Sequence, residues 1–153
     1  MGIVRLIYVS KLAVGFGPND VLKIVDVSEK NNRELGITGA LCYGPRYFLQ
    51  CLEGPRDAVN TLYNTIIRDE RHTDVTLLYY ADIEERVFDE WAMASVRAND
   101  VTKQIILRFG VGKQFDPYMF SAKQAVRFLS AVVEERRRFL ESEKREIDTA
   151  RQP

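Results

Sequence analysis

Apolar and polar positions follow two different periods along the first part of the chain. Residues 4–10 (VRLIYVS) are almost continuously apolar, which is typical of a buried strand. Residues 18–20 (PND) then favour the start of a helix, and the pattern predicts that this helix ends at Lys30 or Asn31. The stripe that recurs every three or four positions on it consists of Val21, Ile24, Val25 and Ser28.

Residues 36–54 (GITGALCYGPRYFLQCLEG) contain two apolar runs on either side of a Gly-Pro pair. We predict a hairpin whose two-residue loop is Gly44-Pro45, because glycine suits the first central position of a type II′ turn. In this register Gly39 lies opposite Gln50 and leaves space above the amide.

A second helix is expected to begin at Gly54-Pro55, because proline is favoured at the first helical position. Its apolar stripe consists of Ala58, Val59, Leu62, Tyr63, Ile66 and Ile67. Residues 74–83 and 87–96 indicate two further strands. The order βαββαββ predicts an α+β, ferredoxin-like sheet with both helices on one face and an added fifth strand.

The pattern of apolar and polar residues changes near residue 98, so we predict a first domain at residues 1–98 and a helical extension at residues 99–153. Asp100 is expected to cap a short helix that reaches Phe109. Charged residues dominate the end of the chain, and we expect fraying after about residue 141.

Ser121 and Gln124 have the spacing of a capping box and predict the start of the last helix. One side of this helix is apolar, with Ala125, Val126, Leu129, Val132, Val133, Phe139 and Leu140. We expect it to dock on the uncovered face of the sheet or on another subunit.

Composition and charge narrow the classes of partner. Lys plus Arg number 22, as do Asp plus Glu, which gives no reason to expect nucleic acid or an anionic membrane. The apolar run in MGIVRLIYVS is too short for a signal peptide or a membrane span. We therefore expect a cytoplasmic protein.

The two cysteines, Cys42 and Cys51, invite a disulfide or a metal site. In the predicted hairpin Cys51 faces Thr38, which puts the two sulfurs roughly 13 Å apart along the ladder, too far to bridge. The single histidine, His72, cannot complete a zinc site with them. We expect two buried thiols and no metal.

Gln50 is the one amide in an apolar strand, and it shares a face with Phe48 and Leu52. A buried amide left without partners costs roughly 1–3 kcal/mol. In a ferredoxin-like order the first strand lies beside this one, where Tyr8 offers a hydroxyl. The residues alone leave two interpretations, a self-satisfied Tyr–Gln pair in the core or a contact to a bound molecule.

Five segments spread over residues 3–97 occur in the order and with the gaps of one known family. They are RLIYVS, NNRELGITGALCY, FLQCLEG, RDERH and RVFDEWAM. Together they resemble the BLUF family, blue-light sensors that use flavin. The length and the trailing helices are similar to the short, stand-alone members without an attached enzyme.

The resemblance implies a non-covalently bound flavin, FAD or alternatively FMN, between the two helices. The flavin ring would lie between Ile24 and Ile66, with Asn32 at its C4 carbonyl and N3 edge. Lys30 and His72 match positions near the ribityl-phosphate end. The other cofactor-binding residues that the resemblance implies are Tyr8, Ser28, Asn31, Phe48, Gln50 and Asp69.

The resemblance also implies a photochemical role for Tyr8 and Gln50. In similar proteins the tyrosine passes an electron and a proton to the excited flavin, the glutamine rearranges, and absorption shifts slightly to the red. The signal would leave through Trp91 and Met93 on the fifth strand and move the helices from Asp100 onward. No enzyme activity is expected, and the output would be a separate partner protein or a change of homo-oligomer.

Two other classes of protein share the predicted ferredoxin-like order. An acylphosphatase-like enzyme would need an arginine in the loop after the first strand, and KLAVGFGPND has none. A flavin-free, ferredoxin-like interaction module remains the alternative, with Tyr8 and Gln50 as ordinary core residues.

Overall fold

The predicted strands form one mixed, five-stranded sheet in the part of the chain that the structure describes. This structure, a computed structural model, describes residues 2–89, 93–101, 103–109 and 116–153. In chain order the strands are β1 (Ile3–Leu12), β2 (Thr38–Tyr43), β3 (Tyr47–Pro55), β4 (His72–Ile83) and β5 (Ala94–Arg97). Their order across the sheet is β4-β1-β3-β2-β5. The β2–β5 pair is parallel and the other neighbours are antiparallel. This confirms the α+β, ferredoxin-like fold with a fifth strand.

Two helices, α1 (Pro18–Leu35) and α2 (Arg56–Arg68), pack on the same face of this sheet. Helix α1 is longer than predicted and ends at Gly36, whose left-handed φ of 69° lets its N–H bond to the carbonyl of Asn32. Helix α2 has Pro55 as its N-cap and begins one residue later than predicted. The buried core under the two helices consists of Val4, Leu6, Tyr8, Leu12, Val21, Ile24, Ile37, Leu41, Phe48, Leu52, Val59 and Met93.

The predicted register of the β2–β3 hairpin was wrong by two residues. The N–H of Gly44 bonds to the carbonyl of Tyr47 at 2.9 Å, so the two-residue loop is Pro45-Arg46. Gly44 does not take the positive φ that the expected turn requires, and proline with its fixed φ suits the first loop position. Gln50 therefore faces Leu41.

Gly39 consequently lies opposite Leu52 rather than opposite Gln50. A Cβ at Gly39 would lie 1.9 Å from the backbone carbonyl oxygen of Cys51 and 3.3 Å from the methyl group of Met93. The missing side chain makes room for a backbone group, and the expectation of a space above Gln50 was wrong.

The opposite face of the sheet is covered by α3 (Lys103–Arg108) and α4 (Ala122–Ala150). The predicted capping box opens α4, with Gln124 N–H donating to Ser121 Oγ at 3.2 Å and Ser121 N–H donating to Gln124 Oε1 at 3.0 Å. The helix side buried here consists of Ala125, Phe128, Leu129, Val132 and Val133. Of the two docking sites considered for this helix, the structure shows the sheet face.

Both cysteines are buried free thiols in the core between the sheet and α4. Cys42 faces Leu49 and Cys51 faces Ala40 across the hairpin. Burial raises the pKa of Cys42 to about 12 and that of Cys51 well above its ordinary value. Both groups therefore stay protonated and behave as small apolar side chains.

The last part of the chain differs from the prediction in its helix boundaries. Helix α4 includes the charged residues after position 141 and extends to Ala150, since these residues are good helix formers. Asp100 ends a short 3₁₀ helix (Ala98–Asp100) and is three residues before the start of α3. None of the helices in the described ranges combines the length and apolar character needed to cross a membrane.

The fifth strand is shorter than predicted. Val87 and Phe88 lie outside β5, because their N–H groups donate to the carboxylate of Glu53 instead of to a neighbouring strand. Met93 immediately precedes β5 rather than lying within it. Trp91 lies outside the described residues.

Candidate functional site

Tyr8 and Gln50 are cross-strand partners on β1 and β3, each only 2% exposed. The Tyr8 hydroxyl donates a hydrogen bond to Gln50 Oε1. Burial raises the pKa of Tyr8 well above its ordinary value, and the nearby Tyr63 and Asp69 raise it further. Tyr8 therefore remains a neutral phenol that can donate this hydrogen bond at any physiological pH.

The other end of the Gln50 amide contacts Met93. Gln50 Nε2 donates toward Met93 Sδ at 3.4 Å, and Met93 is 4% exposed. Gln50, on the central strand β3, therefore links Tyr8 on β1 to the residue that immediately precedes β5. The single amide joins three separate segments of the chain.

A cleft between α1 and α2 lies above the Tyr8–Gln50 pair. It encloses about 520 Å³ of empty space, including the part open to solvent. Ile24 and Ile66 line it from the two helices, and Tyr8 and Gln50 line it from the sheet. Apolar walls with a few convergent polar groups are typical of sites for organic ligands.

His72, at the start of β4, is another side chain of the cleft with a defined partner. Its Nδ1 lies 2.9 Å from Ser10 Oγ, and its ring centroid lies 4.9 Å from that of Phe48. Burial lowers the pKa of His72, although the adjacent Asp69 carboxylate acts in the opposite direction. The imidazole is therefore neutral near pH 7.

The rim of the cleft carries an ion pair. Arg71 Nη2 donates to Asp69 Oδ2 at 2.6 Å, and Arg71 Nε lies 3.0 and 3.1 Å from the two carboxylate oxygens. These hydrogen bonds lower the pKa of Asp69. The pair provides polar groups of both signs at the mouth of the cleft.

The structure brings most of the expected site residues to one place. Those that line the cleft are Tyr8, Ile24, Ser28, Asn31, Gln50, Ile66, Asp69 and His72. Phe48 lies beneath it against His72, and Asn32 is fully buried in the last turn of α1. Lys30 is exposed on α1 and does not line the cleft. Trp91 lies outside the described residues.

Four further residues line the cleft that were not among the expected cofactor contacts: Val27, Leu62, Thr65 and Arg71. Val27 follows Ile24 by three positions and Leu62 precedes Ile66 by four, so helical spacing alone relates each to a predicted residue. Arg71 gave no such signal, because its position depends on the turn between α2 and β4.

The residues present fit a flavin. Ile24 of α1 and Ile66 of α2 line the cleft with apolar side chains, and the Gln50 amide and the Tyr8 hydroxyl line it from the sheet. This combination suits a flat ring whose edge carries carbonyl and nitrogen atoms. The polar rim is suited to a hydroxylated, phosphorylated tail. Fold and cleft together define an α+β module with a site suited to an organic ligand.

Comparison with known proteins identifies the family. A family model described as sensors of blue-light using FAD (BLUF) matches residues 3–94, more than half of the chain. The chain therefore belongs to the BLUF family of flavin-based blue-light sensors.

Curated relatives include both subunits of a photoactivated adenylate cyclase. The beta subunit from Euglena gracilis is 40% identical over 91 residues, and the alpha subunit from the same organism is 38% identical over 86 residues. These matches cover 59% and 56% of this chain. They span only 11% and 8% of the relatives, about a tenth of their length.

Solved structures of similar fold include two proteins of comparable size. BlsA in its photo-activated state has a TM-score of 0.75 and 29% identity, covering 86% of this chain and 94% of that one. The BLUF protein BlrB in its dark state has a TM-score of 0.69 and 28% identity, covering 86% and 97%. A bacterial light-regulated adenylyl cyclase has a TM-score of 0.62 and 31% identity, covering 92% of this chain and 36% of its own.

Proposed function

We propose that this chain senses blue light through a flavin held non-covalently in the α1–α2 cleft, and that Tyr8 and Gln50 convert absorption into a change of hydrogen bonding. The observation that carries the proposal is the buried Tyr8–Gln50 pair, which is hydrogen-bonded and also lines the cleft. A Tyr8–Gln50 pair buried in the core without access to the cleft would not support this proposal. FAD is the proposed flavin, with FMN as the alternative.

Most of the residues proposed to hold the flavin line the cleft or lie directly beneath it, whereas Lys30 and Asn32 are proposed from the family resemblance. Ile24 and Ile66 would contact the two faces of the ring. Asn32, at the end of α1, would bind its polar edge. The remaining proposed contacts are Tyr8, Ser28, Lys30, Asn31, Phe48, Gln50, Asp69 and His72. Bound flavin would supply absorption of blue light and, when excited, a strong oxidant.

The protein's part begins at Tyr8, the electron donor in this proposal. Loss of electron density makes a phenol proton acidic, and the hydrogen bond to Gln50 Oε1 offers that proton a path. In this proposal the protonated amide would become neutral by losing a proton from its nitrogen toward the cleft, where the bound flavin would have taken the electron. Gln50 would then be left as the imidic tautomer or, once the proton and electron have returned to Tyr8, as a rotated amide. Either change alters which group Gln50 presents to the cleft, to Tyr8 and to Met93.

The output is proposed to leave through Met93 and β5. A signal acts by shifting an equilibrium between contacts that differ in the two states. The Gln50–Met93 contact would be one such difference, and β5 leads to the extension at residues 99–153, whose helices α3 and α4 pack on the other face of the sheet. Trp91 is proposed to take part in the same relay. A partner protein or a change of homo-oligomer would read the movement, with no catalytic step in the chain itself.

An absorption spectrum before and after blue light tests the proposal. We expect bound flavin, a small red shift on illumination, and recovery in darkness. The Gln50→Leu variant should keep flavin and lose the shift. The same substitution at the exposed Gln104 on α3 should change neither, which controls for the substitution itself.

Two outcomes would contradict the proposal. Bound flavin without a light-induced shift would make the chain a flavoprotein of another kind. A colourless protein that takes up no added FAD or FMN would favour the alternative, a flavin-free interaction module.

A further inference from the structure

A buried carboxylate holds the connection between β4 and β5 to the sheet. Glu53, on β3, is fully buried and accepts a hydrogen bond from Arg5 Nε at 2.8 Å. The same carboxylate accepts from the backbone N–H of Val87 at 3.0 Å and of Phe88 at 2.8 Å. One side chain thus satisfies two backbone donors and pairs with a cation from the neighbouring strand.

Arg86 holds the same connection from the other direction. Its guanidinium donates to Gly36 O at 2.9 Å, to Thr38 Oγ1 at 2.9 Å and to Glu53 O at 3.2 Å. These acceptors belong to the end of α1, to β2 and to β3. We call Glu53 and Arg86, with the hydrogen bonds just given, the anchor of this connection.

Phe88 and Met93, the two buried residues on either side of positions 89–92, lie on opposite faces of the sheet. Phe88 is buried in the core beside α4, whereas Met93 is buried in the core beneath α1 and α2. Five residues span at most about 18 Å, so the position of Phe88 restricts where Met93 can lie. Glu53 bonds directly to the N–H of Phe88 and therefore fixes the start of this short path.

We propose that Glu53 and Arg86 are positioning residues that hold Met93 against Gln50, an inference that rests on the proposed function for its role in signalling. Neither residue lines the cleft, and neither contacts Tyr8 or Gln50 among the described hydrogen bonds. Their effect passes through Phe88 and the chain that follows it. Weakening the anchor releases Met93 while the side chains of the cleft stay in place.

The anchor also gives α4 and the cleft a common attachment. Phe88 packs in the same core as Phe128 and Leu129 of α4, and Met93 contacts Gln50. If the Gln50 amide displaces Met93, Phe88 resists the displacement, because the buried Glu53 carboxylate accepts a hydrogen bond from its N–H. The anchor therefore directs the movement into β5, on the other side of Met93.

The test reads Met93 directly by NMR of protein labelled with ¹³C at its methionine methyl groups. The chain contains three methionines, and Met93→Leu identifies the Met93 signal. In flavin-loaded Arg86→Ala and Glu53→Gln we expect the Met93 signal to move toward that of the exposed Met119 and its light-induced change to be lost. The red shift of absorption should remain, which a general loss of structure would not allow.

Arg97→Ala is the matched control. Arg97 lies on β5 close to Met93 in sequence, but its side chain is exposed and pairs with Asp100. We expect its Met93 signal to match the wild-type signal. Arg86→Lys keeps a cation without the forked donors and should recover part of the wild-type position.

An unchanged Met93 signal in Arg86→Ala would overturn the inference. Arg86 is only half-buried, so this variant carries the test even when Glu53→Gln fails to fold. Failure of the proposed function is distinguishable, because the dark Met93 signal reports on the anchor without flavin photochemistry. A wild-type protein with no red shift but with a Met93 signal that depends on Arg86 would refute the sensor proposal and leave the anchor intact.

Discussion

Gln50 Nε2 lies 3.4 Å from Met93 Sδ, while Oε1 of the same amide accepts a hydrogen bond from Tyr8. A thioether sulfur has no proton to donate, so this orientation lets the amide donate to sulfur and accept from the hydroxyl. Turning the amide by 180° would set its oxygen against sulfur and lose that contact. The state of the amide and the position of Met93 are therefore coupled by hydrogen-bond chemistry.

Replacing Met93 should separate photochemistry from output. Met93→Ala removes the sulfur and buried volume, and we expect a loss of about 2–5 kcal/mol in the free energy of unfolding. The red shift should persist, because Tyr8 and Gln50 are untouched. The light-induced change in hydrogen exchange of β5 and α4 amides should disappear.

Met93→Leu is the control for packing. Leucine preserves most of the side-chain volume, so the free energy of unfolding should fall by less than about 1.5 kcal/mol. It lacks the sulfur that accepts from the Gln50 amide. Loss of the light-induced exchange in both variants assigns the relay to the sulfur contact. A Met93→Ala protein that keeps both its red shift and its light-dependent exchange would refute the relay.

Tyr8→Phe should remove the donor to Gln50 Oε1. A buried acceptor left unpaired costs roughly 1–3 kcal/mol, so urea unfolding should show a loss in this range. Flavin binding should survive, because the ring of residue 8 still lines the cleft, but the red shift should be absent. Tyr63→Phe is the control, since its ring centroid lies 5.8 Å from that of Tyr8 and its side chain is half-buried. Equal behaviour of the two variants would argue against a special role for Tyr8.

Gly39→Ala should destabilise the sheet strongly. The added Cβ would overlap the Cys51 carbonyl oxygen, a backbone atom that moves only with its strand. We expect the free energy of unfolding to fall by about 3 kcal/mol, measured as a lower urea midpoint. Gly2→Ala, whose Cβ would meet its nearest atom at 3.9 Å, should change stability by less than about 0.5 kcal/mol. A Gly39→Ala protein as stable as Gly2→Ala would show that β2 and β3 can separate at little cost.

His72 should make stability depend on pH in the mildly acidic range. Its folded pKa is lowered by burial, so the unfolded chain takes up a proton near pH 6.5 before the folded protein does. Stability is then complete above this pH and falls as the pH drops toward the folded pKa, by at most about 1.4 kcal/mol per pH unit.

The facing Asp69 carboxylate opposes this effect, and its own lowered pKa places its contribution at more acidic pH. His72→Gln should remove the dependence between about pH 7.5 and about pH 5.5. Urea unfolding of the two proteins at these pH values measures it, and parallel losses in both would exclude His72 as the cause.

Local periodicity predicted the fold well for segments that belong to the sheet or pack against one of its faces. β1, the starts of α1 and α2 and the capping box of α4 all follow from spacing or capping chemistry. The hairpin register could not be predicted from spacing, because both Gly44-Pro45 and Pro45-Arg46 are plausible two-residue loops. Moving the loop by one residue along the chain shifts every cross-strand pair by two residues. The end of α1 depended on the left-handed Gly36, which also begins the predicted hairpin segment.

The site was predictable to the extent that family motifs mark it. Alternation alone placed Gln50 and Tyr8 on neighbouring strands but left their purpose open. The anchor was not predictable, because Glu53, Arg86 and Arg5 are far apart in sequence and a glutamate at a strand end is ordinarily exposed. Its existence depends on how the connection between β4 and β5 runs.

That connection is considerably longer than the gap it crosses. From β4 to β5 the chain passes three intervening strands, a distance of about 19 Å at the usual spacing. The residues between Ile83 and Ala94 could reach more than about 33 Å when extended. Chain length therefore leaves the route undetermined. Insertions at the exposed Glu84 and Glu85 fall before the anchor and can loop outward, whereas the proposed anchor predicts that an insertion between Phe88 and Met93 weakens the contact with the amide. We therefore expect tolerance to evolutionary change in this connection to differ on the two sides of the residues that Glu53 binds.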